Sequence, residues 1–100
     1  MYDIQYTNLA YSDLDDMISY IAKDSLSNAL AYLEGFDNQI DLLMQNPYMG
    51  IECKHKSIDR DCRVLIYKSH IIVYQVNQKL ERLLILRIFH SMEQYNNKIG

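Results

Sequence analysis

Residues 62–90 read CRVLIYKSHIIVYQVNQKLERLLILRIFH, and the fold depends on how that stretch divides. Lys68-Ser69 and Asn77-Gln78-Lys79 break it into three runs rich in Val, Ile, Leu, Tyr and Phe, the pattern of strands separated by polar turns. Residues 70–76 are almost wholly apolar, as expected of a central strand buried on both faces. The runs on either side, 62–67 and 82–90, carry Arg63, Arg87 and His90 among their apolar residues. A charge inside a buried strand is costly unless it is paired or meets a ligand. These three residues are therefore the first candidates for function. Simple alternation puts Arg63, Leu65 and Tyr67 on one face of the first strand. On the last strand it puts Leu83, Ile85, Arg87 and Phe89 opposite Leu84, Leu86 and Ile88.

Upstream, the pattern becomes helical. Tyr2, Ile4 and Tyr6 alternate with Asp3, Gln5 and Thr7, which predicts one short half-buried strand. Thr7 or Asn8 then caps a helix carrying Ala10, Leu14, Met17, Ile18 and Ile21 on one side and Ser12, Asp13, Asp15, Asp16 and Ser19 on the other. Lys23-Asp24-Ser25 breaks it, and Ser25 caps a second helix. There Leu26, Ala29/Leu30, Leu33, Phe36, Ile40 and Leu43/Met44 repeat at intervals of three and four until Asn46-Pro47 stops the run. Gly35 costs that helix about 1 kcal/mol relative to alanine, which points to close packing there. Pro47-Tyr48-Met49-Gly50 reads as a turn, and Ser91 caps one more short turn through Tyr95. The order β-α-α-β-β-β predicts an α+β domain spanning residues 1–100, with the helical hairpin packed on one face of an antiparallel sheet.

Composition narrows the classes. A hydrophobic content of 49% with 23% charged residues is ordinary for a globular domain. The opening Met1-Tyr2-Asp3 shows no signal-peptide pattern, and no window approaches a run of about 18 apolar residues; a cytoplasmic protein without a membrane partner is expected. The overall charge of −3 divides into −7 for residues 1–50 and +4 for residues 51–100. The basic half is a modest footprint for an anionic partner, and the acidic half reads as a solvated helical face. Cys53 and Cys62 fit no C-x-x-C pattern and are expected as two free thiols. Cys53-x-His55 with Cys62 matches no standard zinc spacing, so neither a metal nor a cofactor is expected.

Several pieces of the chain together resemble the RelE/ParE superfamily of toxins from bacterial type II toxin–antitoxin systems. They are the run from Ala10 and Leu14 to Tyr20-Ile21-Ala22; Asn46-Pro47-x-Met49-Gly50; Arg63-x-Leu65; His70-Ile71-Ile72-Val73-Tyr74-x-Val76; and Ile85-Leu86-Arg87-Ile88-Phe89-His90-x-Met92-Glu93. The last piece looks most like the ParE-type branch. The resemblance implies a sheet cradled by a helical hairpin, with a groove for an antitoxin segment and a hetero-oligomer with that cognate antitoxin. It also implies one of two targets. The ParE-like branch is associated with poisoning DNA gyrase without being a hydrolase, in a setting of growth inhibition and plasmid stabilization. The RelE-like branch cuts mRNA on the ribosome.

Cutting RNA requires a base for the 2′-hydroxyl, an acid for the leaving oxygen and cations on the phosphate. Arg63, Arg87 and His90 are the candidate catalytic or target-contacting residues; Lys54, His55, Lys56, Tyr67 and Tyr95 are candidate binding residues. Two points favour the non-hydrolytic reading. RelE-like nucleases resemble one another in carrying an arginine just before the apolar pair of the central strand, and here that position is Ile71. Ribosome binding also favours a strongly basic surface, whereas this chain is net acidic. A family member kept only as a binding module is a third reading. Each candidate has a structural alternative: Arg63 and Arg87 paired with acids such as Asp59 or Asp61, His90 bonded to a carbonyl at a core edge, Tyr67 and Tyr74 packed in the sheet, Tyr95 as a tail anchor, and Lys54-His55-Lys56 as a solvated loop.

Overall fold

The chain runs β1 (Asp3–Tyr6), α1 (Asn8–Asp24), α2 (Leu26–Gln45), β2 (Ile51–Glu52), β3 (Cys62–Tyr67), β4 (His70–Asn77) and β5 (Arg82–Phe89). The computed structural model describes residues 1–53 and 62–90. The five strands form one sheet in the order β1-β5-β4-β3-β2. The α+β architecture is the expected one, with two differences. The sheet is mixed, because β1 runs parallel to β5 while the other pairs are antiparallel. The two-residue strand β2 also precedes the expected three, too short to leave a periodic signal.

Single polar side chains set the helix boundaries. The Thr7 hydroxyl accepts from the Ala10 N–H at 3.0 Å and so caps α1. Ser25 serves both helices: its N–H closes α1 on the Ile21 carbonyl, and its hydroxyl accepts from the Asn28 N–H to open α2. One extended residue therefore turns the hairpin. Asn46 ends α2 with its backbone N–H and its amide Nδ2 both on the Leu42 carbonyl, satisfying acceptors that a helix end leaves open.

The hairpin buries Ala10, Met17, Phe36, Ile40 and Leu43 against Tyr67, Ile72, Tyr74, Val76, Leu83, Ile85 and Ile88 of the sheet. Leu26 and Leu30, part of the expected apolar stripe, are instead exposed; Ala29 is the residue that turns inward on this part of α2. The opposite sheet face carries a smaller cluster of Cys62, Ile71, Val73 and Phe89.

Alternation along β5 does not hold, because a bulge interrupts it. Val73 pairs with Arg87 but Tyr74 pairs with Ile85, which leaves Leu86 as an extra residue. Ile85 and Ile88, three apart, therefore both join the helix-side core. Arg87 moves to the face of Val73 and Phe89, away from Leu83 and Ile85, where simple alternation had placed it.

The cysteines correct a second expectation. Cys53 and Cys62 form a disulfide, with their Cα atoms 5.3 Å apart. Antiparallel pairing of β2 with β3 is the cause. The Cys53 N–H donates to the Cys62 carbonyl at 3.0 Å, which sets the two residues within the usual 4.4–6.8 Å range for a bridge.

Gly35 sits where α2 crosses the sheet, and a Cβ there would collide with the Tyr67 hydroxyl. That hydroxyl donates to the Tyr32 carbonyl at 3.1 Å. Helix propensity alone favours Gly35→Ala, yet the collision should reverse the sign and cost about 1–2 kcal/mol net. Urea denaturation should show the lower midpoint, and adding Tyr67→Phe should recover part of it. A more stable single variant would rule this contact out as the reason for the glycine.

Candidate functional site

Past Ile85, β5 has no strand on its outer side, because β1 ends at Tyr6. The first turns of α1 take over that edge. The Thr7 hydroxyl donates to the Leu86 carbonyl at 2.8 Å, and Asp13 Oδ2 accepts from the Ile88 N–H at 2.9 Å. The same carboxylate receives Arg87 in a bidentate pair, Nε at 2.8 Å and Nη2 at 3.1 Å. Three donors on one largely buried carboxylate make a charge-assisted site of the strong kind. The bond to Asp13 also raises the Arg87 pKa. The guanidinium lies over the Phe89 ring at 4.8 Å.

Arg63 works on the other side of the molecule. It pairs across the sheet with Tyr74 and so faces the helices. Its Nη1 donates to the Gly50 carbonyl at 2.9 Å and to the Tyr48 carbonyl at 3.3 Å, and its guanidinium lies over the Tyr48 ring at 5.0 Å. Tyr74, fully buried, donates to the Pro47 carbonyl at 2.9 Å and accepts from the Gly50 N–H at 3.0 Å. Burial raises the Tyr74 pKa, against the opposing pull of the Gly50 N–H and Arg63. A Cβ on Gly50 would press on both the Tyr74 hydroxyl and the Val64 carbonyl. The Asn46–Gly50 segment is thus held by one tyrosine and one arginine.

A third cluster lies where β4 begins and β5 ends. His70, 7% exposed, bonds through Nδ1 to the Tyr32 hydroxyl at 2.6 Å. Its ring meets that of His90 edge-on at 5.2 Å. Lys68, in the left-handed region at φ 52° in the β3–β4 turn, places its ammonium 5.3 Å from the Tyr32 ring and 5.5 Å from the Tyr67 ring. Burial, and then the nearby His90, lower the His70 pKa. Beside the two histidines a cavity of about 360 Å³ opens against α1, lined by Asp13, Asp16, Met17, Tyr20, His70, Ile88 and His90.

The structure therefore does not bring the sequence candidates together. Arg63 and Arg87 stand on opposite sheet faces, two strands apart, and their acidic partners are Glu52 at 3.6 Å and Asp13. Tyr67 is packed under α2 with its hydroxyl bonded. His90 is exposed at the end of β5. Lys54, His55, Lys56, Asp59, Asp61 and Tyr95 lie outside the described residues. Ile71 is 4% exposed in the apolar cluster on the face away from the helices. Sequence reading missed Asp13, Tyr32 and His70 as members of a site. Asp13 looked like one acid on a solvated helix face, and nothing local marks a partner more than 70 residues away. Among the described residues, no group of three His, Cys, Asp or Glu could hold a metal ion, and no helix is long and apolar enough to cross a membrane.

The family model described as the ParE toxin of type II toxin–antitoxin systems, parDE, matches residues 4–95, and the chain belongs to that family. Solved structures agree on the fold. The chromosomal ParDE system of P. aeruginosa superposes with a TM-score of 0.69 at 22% identity, over 91% of this chain and 97% of that one. The RelBE2 complex of Mycobacterium tuberculosis gives 0.60 at 18% identity, over 90% and 98%. The isolated RelE toxin of E. coli gives 0.61 at 14% identity, over 99% and 96%. No curated protein sequence matches the chain.

Two predictions follow the geometry. Arg87→Ala should cost about 2 kcal/mol, less than a fully buried pair because both side chains keep some exposure. Asp13→Ala should cost more, since it also strands the Ile88 N–H. In a double-mutant cycle the two losses should fall well short of adding; additive losses would show that the pair is not coupled. His70 gives the second. Its folded pKa lies below the ordinary 6.5, so the unfolded chain binds the proton more readily. Stability is then unaffected above that value and falls as pH drops from 6.5 through the folded pKa. His70→Asn, whose amide can donate or accept near the Nδ1 position, should flatten this part of the melting-temperature profile. An unchanged slope would place the acid sensitivity elsewhere.

Proposed function

We propose that this ParE-family toxin blocks DNA gyrase through protein–protein contact, without hydrolysis. We propose also that a cognate antitoxin neutralises it in a hetero-oligomer; the RelBE2 structure of Mycobacterium tuberculosis and the RelBE structure of E. coli are toxin–antitoxin complexes. The observation that carries this reading is the use to which the arginines are put. Phosphoryl chemistry needs cations aimed at one phosphate. Here Arg87 is tied to Asp13, Arg63 is tied to the 48–50 backbone, and Ile71 lies in an apolar cluster. The described residues thus converge on no phosphate.

Of the sequence candidates, His90, exposed and edge-on to His70, is the residue we assign to target contact. Arg87 and Tyr67 are positioning residues, and Arg63 holds the turn. Lys54, His55, Lys56 and Tyr95 enter as further contacts on the strength of the sequence alone. The toxin would act in the cytoplasm, where gyrase is, and would serve plasmid stabilization if carried on a plasmid.

Induction of the chain alone in a bacterium tests the reading. Filamentation with DNA-damage signalling, and loss of supercoiling when purified chain is added to purified gyrase, are the expected results. Codon-positioned mRNA breaks with intact supercoiling would instead identify a ribosome-dependent endoribonuclease. Growth without arrest would identify a binding module.

A further inference from the structure

The cavity between α1 and the end of β5 has a lining that selects one kind of occupant. Its floor is Met17 and Ile88, 6% and 5% exposed, which gives an aliphatic chain an apolar surface. Of its two carboxylates, Asp13 already takes three donors, two from Arg87 and one from the Ile88 N–H. Asp16 is exposed and has no ion pair among the described residues, so one negative charge is left at the rim. Tyr20 stands one turn further along the helix and is 70% exposed. A carboxylate next to an open aromatic face over an apolar floor suits a cation on a long apolar stem.

His70 supplies the second feature. It is buried, it lines the cavity, and its Nδ1 is held by the Tyr32 hydroxyl, so the ring is fixed in orientation. In the tautomer that donates Nδ1–H to Tyr32, the Nε2 lone pair is left to accept a further hydrogen bond. A planar guanidinium matches this set better than an ammonium, because it can bond a carboxylate, lie on a ring and donate to an imidazole at once. A shallower cavity on the same helix, lined by Tyr20, Ile21, Lys23 and Asp24, continues from Tyr20 toward the hairpin turn. It gives the chain attached to such a side chain a path along α1.

We propose that the cavity lined by Asp16, Met17, Tyr20, His70 and Ile88 receives an arginine side chain of the antitoxin, with the guanidinium between Asp16 and Tyr20 and the stem over Met17 and Ile88. The partner named here rests on the function proposed above; the chemistry of the cavity does not. The acidic first half of the chain, −7 over residues 1–50, then serves to recognise a basic segment.

The probe is N-acetyl-arginine methylamide, titrated into the isolated chain and followed by NMR at the Met17 methyl and the His70 ring. Saturable shifts at both are expected. The citrulline analogue, equal in shape but uncharged, should bind about three- to fivefold more weakly, the scale of a solvent-exposed ion pair. Asp16→Asn should weaken the arginine probe to a similar degree and, the side chain being exposed, leave the melting temperature unchanged. Asp15→Asn, outside the cavity, should titrate as wild type. Equal binding of citrulline, an unaffected Asp16→Asn, or shifts away from Met17 and His70 would each overturn the proposal. Co-expression with the product of the adjacent reading frame separates the two readings. If that product rescues growth from the wild type and from Asp16→Lys equally, the arginine site is wrong while the toxin–antitoxin reading stands. If the probe binds as described but no product rescues growth, the site stands and the antitoxin reading falls.

Discussion

One carboxylate joins the two halves of this molecule. Asp13 takes both donors of Arg87 and the backbone N–H of Ile88, and Thr7, six residues earlier, has already bonded the Leu86 carbonyl. The constraint is geometric as well as energetic. A helix can lie beside a strand only if the strand's outward N–H and C=O groups find partners, because buried backbone groups left unpaired are costly. Two side chains, the cap Thr7 and Asp13 on the second turn of α1, meet that demand. In doing so they set the height and rotation of α1 on the sheet, and with them the wall of the cavity that Asp16, Met17 and Tyr20 share with the histidines. The bulge at Leu86 belongs to the same arrangement, since it turns Arg87 away from Ile85 and onto the face of Val73 while Ile88 stays in the helix-side core.

The exit from α2 is fixed by a different device. Tyr74 and Arg63 bond the carbonyls and the N–H of residues 47–50, so a turn whose Tyr48 and Met49 side chains stay exposed is held by polar contacts. The chain leaving α2 is thereby delivered to β2 at a set register, and β2 pairs with β3 closely enough for Cys53 and Cys62 to meet. Gly35 and Gly50 mark the two places where a tyrosine hydroxyl comes too near the backbone for any side chain.

Much of the fold was legible in the sequence because its signals are local. Thr7, Ser25 and Asn46 act at the helix ends their types suggest, and the runs around Lys68-Ser69 and Asn77-Gln78-Lys79 are the strands they look like. What was not legible is long-range. Nothing near Arg87 names Asp13, nothing near Arg63 names the carbonyls of Tyr48 and Gly50, and a bulge adds one residue without changing composition. The cysteine pair was misread for the same reason: spacing along the chain says little when antiparallel pairing sets the distance. His90 stood out by its place at a strand end, whereas His70 passed as the first residue of an apolar run. Its significance comes from Tyr32 and from the cavity, and both arrive through the tertiary fold.

The bonds from Thr7 and Asp13 have a consequence for self-association. A strand edge with free N–H and C=O groups is a template on which another chain can add a strand, and small sheet proteins avoid leaving one open. The distal half of β5, Leu86 to Phe89, is apolar enough to be such a template. In this chain two of its outward groups, the Leu86 carbonyl and the Ile88 N–H, are occupied by the hydroxyl of Thr7 and the carboxylate of Asp13, and a charge is planted beside them. A substitution at Asp13 would thus do more than lower the melting temperature: it would uncover a short sticky edge, and the variant should be more prone to form aggregates than its loss of stability alone accounts for.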